Sequence, residues 1–163
     1  MFKIGEHVVH PGQGVCTVMG FRDDTPQPMI LLEAKSGHAK TLMMYPVAQS
    51  DRLHPTITRE KAEELLANYA DIECDDYTER NSSLEETHFK QELKKGAPTT
   101  VRVAKTMLAR IHDAEAAAKK PSSYYSRVLK EAERRSIEEF AVALGCSEED
   151  AQARFAEAAA SLN

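Results

Sequence analysis

The sequence predicts an α+β protein: a small N-terminal Tudor- or SH3-like β-barrel followed by an all-α domain of about five helices. Two observations carry this. Short β-branched runs separated by Pro/Gly turns fill the first 45 residues. Beyond Pro46, apolar residues recur at i, i+3, i+4, i+7. Strands first and helices afterwards is the segregated order of an α+β chain.

His7-Val8-Val9-His10 is a short strand that stops at Pro11-Gly12-Gln13-Gly14. There Pro fixes φ and Gly supplies positive φ, so a tight turn is expected. Val15 to Phe21 follows as a β-branched strand, and Asp23 to Pro28 as a proline-punctuated loop. Met29 to Ala34 is a third strand, Lys35-Ser36-Gly37-His38 a turn, and Lys40 to Tyr45 a fourth strand. Four strands on short turns form a meander able to curl into a small barrel.

Pro46 ends that pattern. Thr58 is placed to cap a helix over 59–69 whose stripe is Ala62, Leu65, Leu66 and Tyr69. Asp71 to Arg80 is acidic and polar, and reads as a linker or irregular connection. Ser83-Leu84-Glu85-Glu86 has the form of a capping box, with Gly96 as the stop of the helix it opens. Pro98-Thr99 introduces a longer helix with Val101, Ala104, Met107, Leu108 and Ile111 on one face. Pro121 breaks it. The next helix runs from about Ser123 to Leu144, carries Tyr125, Val128, Leu129 and Ala132 as its stripe, and stops at Gly145. Ser147 caps an alanine-rich last helix with Ala151, Phe155, Ala158 and Leu162 on one face. The domains expected are residues 1–55 and 56–163.

The composition, 42% hydrophobic and 29% charged over 163 residues, is globular. No apolar run approaches the roughly 18 residues of a membrane span. The opening Met1-Phe2-Lys3-Ile4-Gly5-Glu6 does not read as a signal peptide, so a cytoplasmic location is expected. Net charge is −5. It is divided as −5 over 1–82, +3 over 83–145 and −3 beyond. That asymmetry is far weaker than the basic stripe of a dedicated DNA binder.

A catalytic reading finds little support. Cys16, Cys74 and Cys146 lack paired spacing and read as buried thiols. His7, His10, His38, His54, His88 and His112 include no i, i+4 pair, so no metal is expected. Gly12-Gln13-Gly14 is a turn and not a phosphate loop, since β-branched residues follow it. Glu85-Glu86 and Glu148-Glu149 sit at helix starts, where the macrodipole favours acids. The expectation is a non-enzymatic protein without a cofactor or small-molecule substrate.

Two features remain. Thr41-Leu42-Met43-Met44-Tyr45-Pro46 places large apolar residues consecutively, so some must face outward, on what reads as an edge strand. Such a strand is a docking site for another protein's strand. The helices also carry Lys90, Lys94, Lys95, Arg102, Lys105, Arg110, Arg127, Lys130, Arg134 and Arg135. Arg127, Lys130 and Arg134 share a face, as do Arg102 and Lys105. A phosphate-binding face is one reading. Interspersed Glu131, Glu133, Glu138 and Glu139 make an ordinary solvated surface the other.

The run Phe2-Lys3-Ile4-Gly5-Glu6-His7-Val8-Val9-His10-Pro11-Gly12-Gln13-Gly14-Val15 resembles the opening of the CarD/CdnL/TRCF RNA-polymerase-interacting domain. Thr41 to Pro46 is similar to a later strand of that family. Phe89 to Leu93, Arg102 to Ala104 and Arg127 to Ala132 lie where stand-alone CarD proteins have similar helical segments. The resemblance implies a Tudor-like domain that binds the RNA polymerase β subunit. It also implies a helical domain placed near promoter DNA upstream of the melted region, where a Trp wedge and basic residues stabilise the open complex.

The chain departs from that pattern. It has no Trp, and Ser83 to His88, near where the wedge would lie, is acidic. Met44 stands where some members carry Arg. Arg22, Met43, Met44, Tyr45 and Pro46 are the candidate polymerase contacts, and Lys90, Arg102, Lys105, Arg127 and Lys130 the candidate DNA contacts. The expected function is a transcription regulator that docks on polymerase and modulates initiation. The alternative is a protein–protein adaptor that makes no DNA contact.

Overall fold

The computed structural model describes residues 2–36 and 39–160, with Lys35 and Ser36 described for their backbone alone. It divides into two compact units, Met1–Thr56 and Ile57–Asn163. Among the described residues, the first is an antiparallel sheet and the second a set of five α-helices. The α+β class read from the sequence is the class of the structure.

The first unit contains β1 (His7–His10), β2 (Gly14–Arg22), β3 (Met29–Ser36), β4 (Ala39–Pro46) and β5 (His54–Pro55). The sheet order is β4-β3-β2-β1-β5. The fifth strand corrects the four-strand reading. It is two residues long and follows a 3-10 turn over Val47–Arg52, too short for any periodicity to reveal it. Its pairing with Val8 and Val9 covers the free side of β1. Gly37 and His38, read as turn residues, lie outside the described residues.

Alternation builds the core of this unit. Cys16 and Val18 of β2 lie across from Ala34 and Leu32 of β3, and all four are buried with Val8, Ile30 and Leu53. An irregularity between Val18 and Gly20 leaves Met19 without a partner in the ladder and shifts the register by one. Beyond it Phe21, not Gly20, faces Ile30. Without this bulge the upper half of β2 would turn its other face to the core.

In the second unit, α1 is Arg59–Ala67, α2 Ser82–Leu93, α3 Thr99–Ala116, α4 Ser123–Leu144 and α5 Glu148–Ala160. The Thr58 hydroxyl accepts from the Lys61 amide, as its position predicts. Ser147 accepts from Asp150 N in the same way. Gly145, at φ 64°, ends α4 in the left-handed conformation. The capping box at Ser83 is corrected: the N-cap is Asn81, whose Oδ1 accepts from Ser83 N at 2.8 Å. Asn and Ser are comparable caps, so sequence alone does not choose between them. The helix also ends earlier than its expected stop, at Leu93, with Gly96 (φ 74°) beyond it.

Two apolar clusters hold the helices. One joins α1, α4 and α5 through Leu65, Leu66, Phe140, Leu144 and Ala151, with Tyr69 and Val101. The other joins α2, α3 and α4 through Phe89, Leu93, Val103, Met107, Tyr124 and Val128. Tyr124, 2% exposed, takes the central place that periodicity assigned to Tyr125, which is half-buried. Leu162, read as part of the last stripe, lies outside the described residues. Cys16 is buried and Cys146 half-buried; Cys74 is exposed, against the expectation of a buried thiol.

The carboxylate of Glu139, 2% exposed, joins the clusters to their loops. It accepts from Ile57 N and from Ala97 N, each at 2.8 Å. Both amides would otherwise lack an acceptor beside the core. Glu139→Ala is expected to destabilise the helical unit by about 3 kcal/mol. The check is the urea midpoint followed by helical circular dichroism.

Candidate functional site

The sheet pairings place the N-terminal candidate residues. On β3, Ile30, Leu32 and Ala34 point into the core, so Met29, Leu31 and Glu33 point out. Register carries this across to β4: Met43 and Tyr45 lie beside Leu32 and Ile30, whereas Leu42, Met44 and Pro46 lie beside Glu33, Leu31 and Met29. Met43 and Tyr45 accordingly pack against the core, and His10 meets the Tyr45 ring edge-on at 5.2 Å. Met44 and Leu42 are exposed, at 51% and 62%.

Arg22 pairs with Met29, which pairs with Pro46, so these three form one row of the outer face. Gly20, Leu31 and Met44 form the next row. Gly20 has no side chain, and the Leu31 side chain lies 3.8 Å from the place its Cβ would take. Arg22 is bound by Asp24 at the end of β2, with Nε to Oδ1 at 3.0 Å. That contact raises the Arg22 pKa and lowers that of Asp24. Of the five candidates, then, Arg22, Met44 and Pro46 share an outer face while Met43 and Tyr45 support it from within. Leu42, Met29 and Leu31 join this face. Alternation along β4 reaches Leu42, whereas Met29 and Leu31 are placed there by the pairing of β3 with β4.

β4 is also an edge: among the described residues no strand pairs with its outer side. An apolar, solvent-exposed edge strand presents free N–H and C=O groups to an incoming strand.

The helical candidates are less free than their spacing suggests. Lys105 Nζ donates to the carbonyls of Tyr69 (2.8 Å), Ala70 (3.1 Å) and Ile72 (2.6 Å). Arg102 reaches the Cys74 carbonyl at 3.4 Å. Arg110 donates to the carbonyls of Asp75 (3.2 Å) and Tyr77, and its guanidinium lies 5.0 Å over the Phe89 ring. Three cations of α3 are thereby spent on the segment from 69 to 77. The acidic stretch, read as a linker or irregular connection, is an irregular strap pinned to the helices. Thr106 accepts its Asp75 amide at 2.9 Å, and His88 binds the Asp75 carboxylate at 2.8 Å while stacking on Tyr77 at 4.0 Å.

Lys90 and Arg127 converge on Glu86, each at 3.2 Å, across the seam of α2 and α4. These two cations hold the Glu86 carboxyl below its ordinary value although burial pulls the other way. Lys130, one turn beyond Arg127, is exposed and makes no ion pair among the described residues. Lys90, Arg127 and Lys130 thus form an exposed seam, with Arg102 and Lys105 held apart from it on the strap. Arg134 binds Glu131 and Glu138, and Arg135 binds Glu131. Among the described residues no group of His, Cys, Asp or Glu is arranged to hold a metal ion. Nor is any helix long and apolar enough to cross a membrane.

Burial raises the Glu131 carboxyl, but hydrogen bonds from Arg134 and Arg135 outweigh it and set the net shift downward. A carboxyl that titrates lower in the folded state stabilises the fold above the ordinary carboxylate range. It stops doing so as pH falls through its folded value. Glu131→Gln is expected to flatten the acid limb of the stability curve below about pH 4. Urea titrations at successive pH values give the comparison.

No curated protein matches the chain significantly. Residues 2–57 match the family model described as the CarD-like/TRCF RID domain. That span coincides with the sheet unit, and the match supports an RNA-polymerase-interacting, transcription-related role. Residues 2–57 are thus similar to the CarD-like/TRCF RID domain, a likeness that covers the N-terminal unit and not the helical one.

Proposed function

We propose that the chain is a transcription regulator that binds the RNA polymerase β subunit through the outer face and free edge of β4. The helical unit then modulates initiation at promoters. The carrying observation is the pairing of Met44 and Leu42, both exposed, on the edge strand of a unit similar to the CarD-like/TRCF RID domain. A partner strand would gain main-chain hydrogen bonds along β4, and Met44, Leu31 and Leu42 would meet its apolar side chains. Arg22 and Pro46 flank this contact, and Met43 and Tyr45 act through packing beneath it.

DNA contact, in this proposal, falls to Lys90, Arg127 and Lys130 on the α2–α4 seam. Arg102 and Lys105 contribute by holding the strap. A second reading, an adaptor that makes no DNA contact, is favoured by one observation: Glu86 already neutralises Lys90 and Arg127. Footprinting polymerase on forked promoter DNA separates them. Extended upstream protection that disappears with Lys130→Ala supports the DNA role, and an unchanged footprint supports the adaptor. Glu86→Gln should strengthen any such protection by freeing two cations, with a steeper salt dependence.

Docking is tested by calorimetry of the full chain with the isolated N-terminal lobe of the β subunit. Met44→Asp is expected to weaken binding at least tenfold, about 1.4 kcal/mol, with an unchanged melting temperature. Met43→Ala should instead lower the melting temperature, because it removes volume from the core. Full binding by Met44→Asp would sink the assignment.

A further inference from the structure

The helical unit contains a trough of about 170 Å³ bounded by α3, α4 and α5, with Tyr69 in its lining. Most of its lining is apolar: Val101 and Leu108 come from α3, Ile137 from α4 and Phe155 from α5. Two polar groups reach it without a partner, beside the exposed Gln152 of α5, which also makes no hydrogen bond among the described residues. Tyr69 is 5% exposed as a residue, and its hydroxyl, which makes no hydrogen bond among the described residues, is open to solvent. Glu133, exposed on α4, likewise makes no hydrogen bond or ion pair among them. The buried carboxylates of this unit, by contrast, are each matched. Glu85 is held by Arg110 and Tyr124, Glu138 by Arg134, and Glu139 by two backbone amides.

We propose that this trough binds a small organic ammonium ion whose apolar body is about one ring in size. Its volume is close to that of an engineered apolar cavity of about 150 Å³ that admits benzene. An apolar pocket with a few polar groups at fixed points is the usual form of a small-ligand site. The apolar body lies against Val101, Leu108, Ile137 and Phe155. The ammonium donates to the Glu133 carboxylate, and the Tyr69 oxygen accepts a second N–H. A carboxylate ligand is excluded by repulsion from Glu133, and a neutral hydrocarbon leaves both polar groups unmatched.

The surrounding charges agree with a cation at Glu133. Lys105 is the nearby basic group, 5.2 Å over the Tyr69 ring, and its ammonium is already bound to three carbonyls. Burial pushes the Glu133 carboxyl upward, and no cation offsets it. The Tyr69 phenol is pushed up first by burial, then by Cys74 and Glu133. An ammonium placed between the phenol and Glu133 relieves both.

The test titrates the full chain with benzylammonium, benzyl alcohol and benzoate, followed by amide shifts along α3 and α5 and by the side-chain carboxyl shift of Glu133. Benzylammonium is expected to bind saturably and to move the Glu133 titration to lower pH. Glu133→Gln should weaken it about tenfold, the loss of one charge-assisted hydrogen bond. Tyr69→Phe should weaken it less while keeping the ring over Lys105. Ala156→Leu, a surface change that fills the trough, should abolish binding without altering helix content. The proposal is overturned if benzyl alcohol or benzoate binds as well, if Glu133→Gln binds normally, or if no saturable shift appears.

Discussion

The helical unit depends on one buried carboxylate, Glu85. Its two oxygens tie α2 to the strap just before it and to the more distant α3 and α4. One accepts the Tyr124 hydroxyl at 2.6 Å and faces Arg110 at 3.5 Å, and the other accepts the Glu79 amide at 2.9 Å. Tyr124 belongs to α4, Arg110 to α3, and Glu79 to the strap that crosses them. The Tyr124 phenol is pushed well up, by burial first and then by this carboxylate, so it stays a donor. A charge buried in this way stabilises nothing unless each of its partners is present. That requirement fixes where the strap must lie, and the strap in turn takes the cations of α3.

This explains why charge spacing misleads in this chain. Arg102, Lys105 and Arg110 look like a basic face when the helix is drawn alone. Their acceptors are main-chain carbonyls between residues 69 and 77, and carbonyls leave no trace in composition. The acidity of that stretch suggested a linker or an irregular connection, and it is the second. Its side chains serve a different purpose: Asp75 holds His88 and caps the turn at Tyr77. A polar sequence can be ordered when the helices beneath it supply the donors.

The strands were more legible than the helical surface. Alternation around Ile30 and Leu32 locates the core face, and Pro11 to Gly14 and Pro46 bound the strands. From a four-strand reading, one of Met43 and Met44 had to face outward, but which one depends on register, and register depends on the bulge near Met19 and on pairing partners. Helix positions were legible through Thr58, Pro121, Gly145 and Ser147. The start of α2 was displaced because Asn81 and Ser83 are comparable caps two residues apart. The trough at Tyr69 was invisible, since it arises from how α3 and α5 stand on α4 and not from any local pattern.

The unpaired flank of β4 has a colloidal consequence. Eight residues of open ladder, carrying Leu42 and Met44 on their outer face, are a template for a second copy of the chain as much as for a partner. Lys40 is the charged side chain on that strand, and it leans toward Glu33 of the neighbouring one. One cation partly neutralised by its neighbour is a weak deterrent to self-pairing. The same edge therefore couples the chain's solubility to the abundance of whatever covers it: in excess over its partner, the protein is left with its own stickiest surface as the next best match.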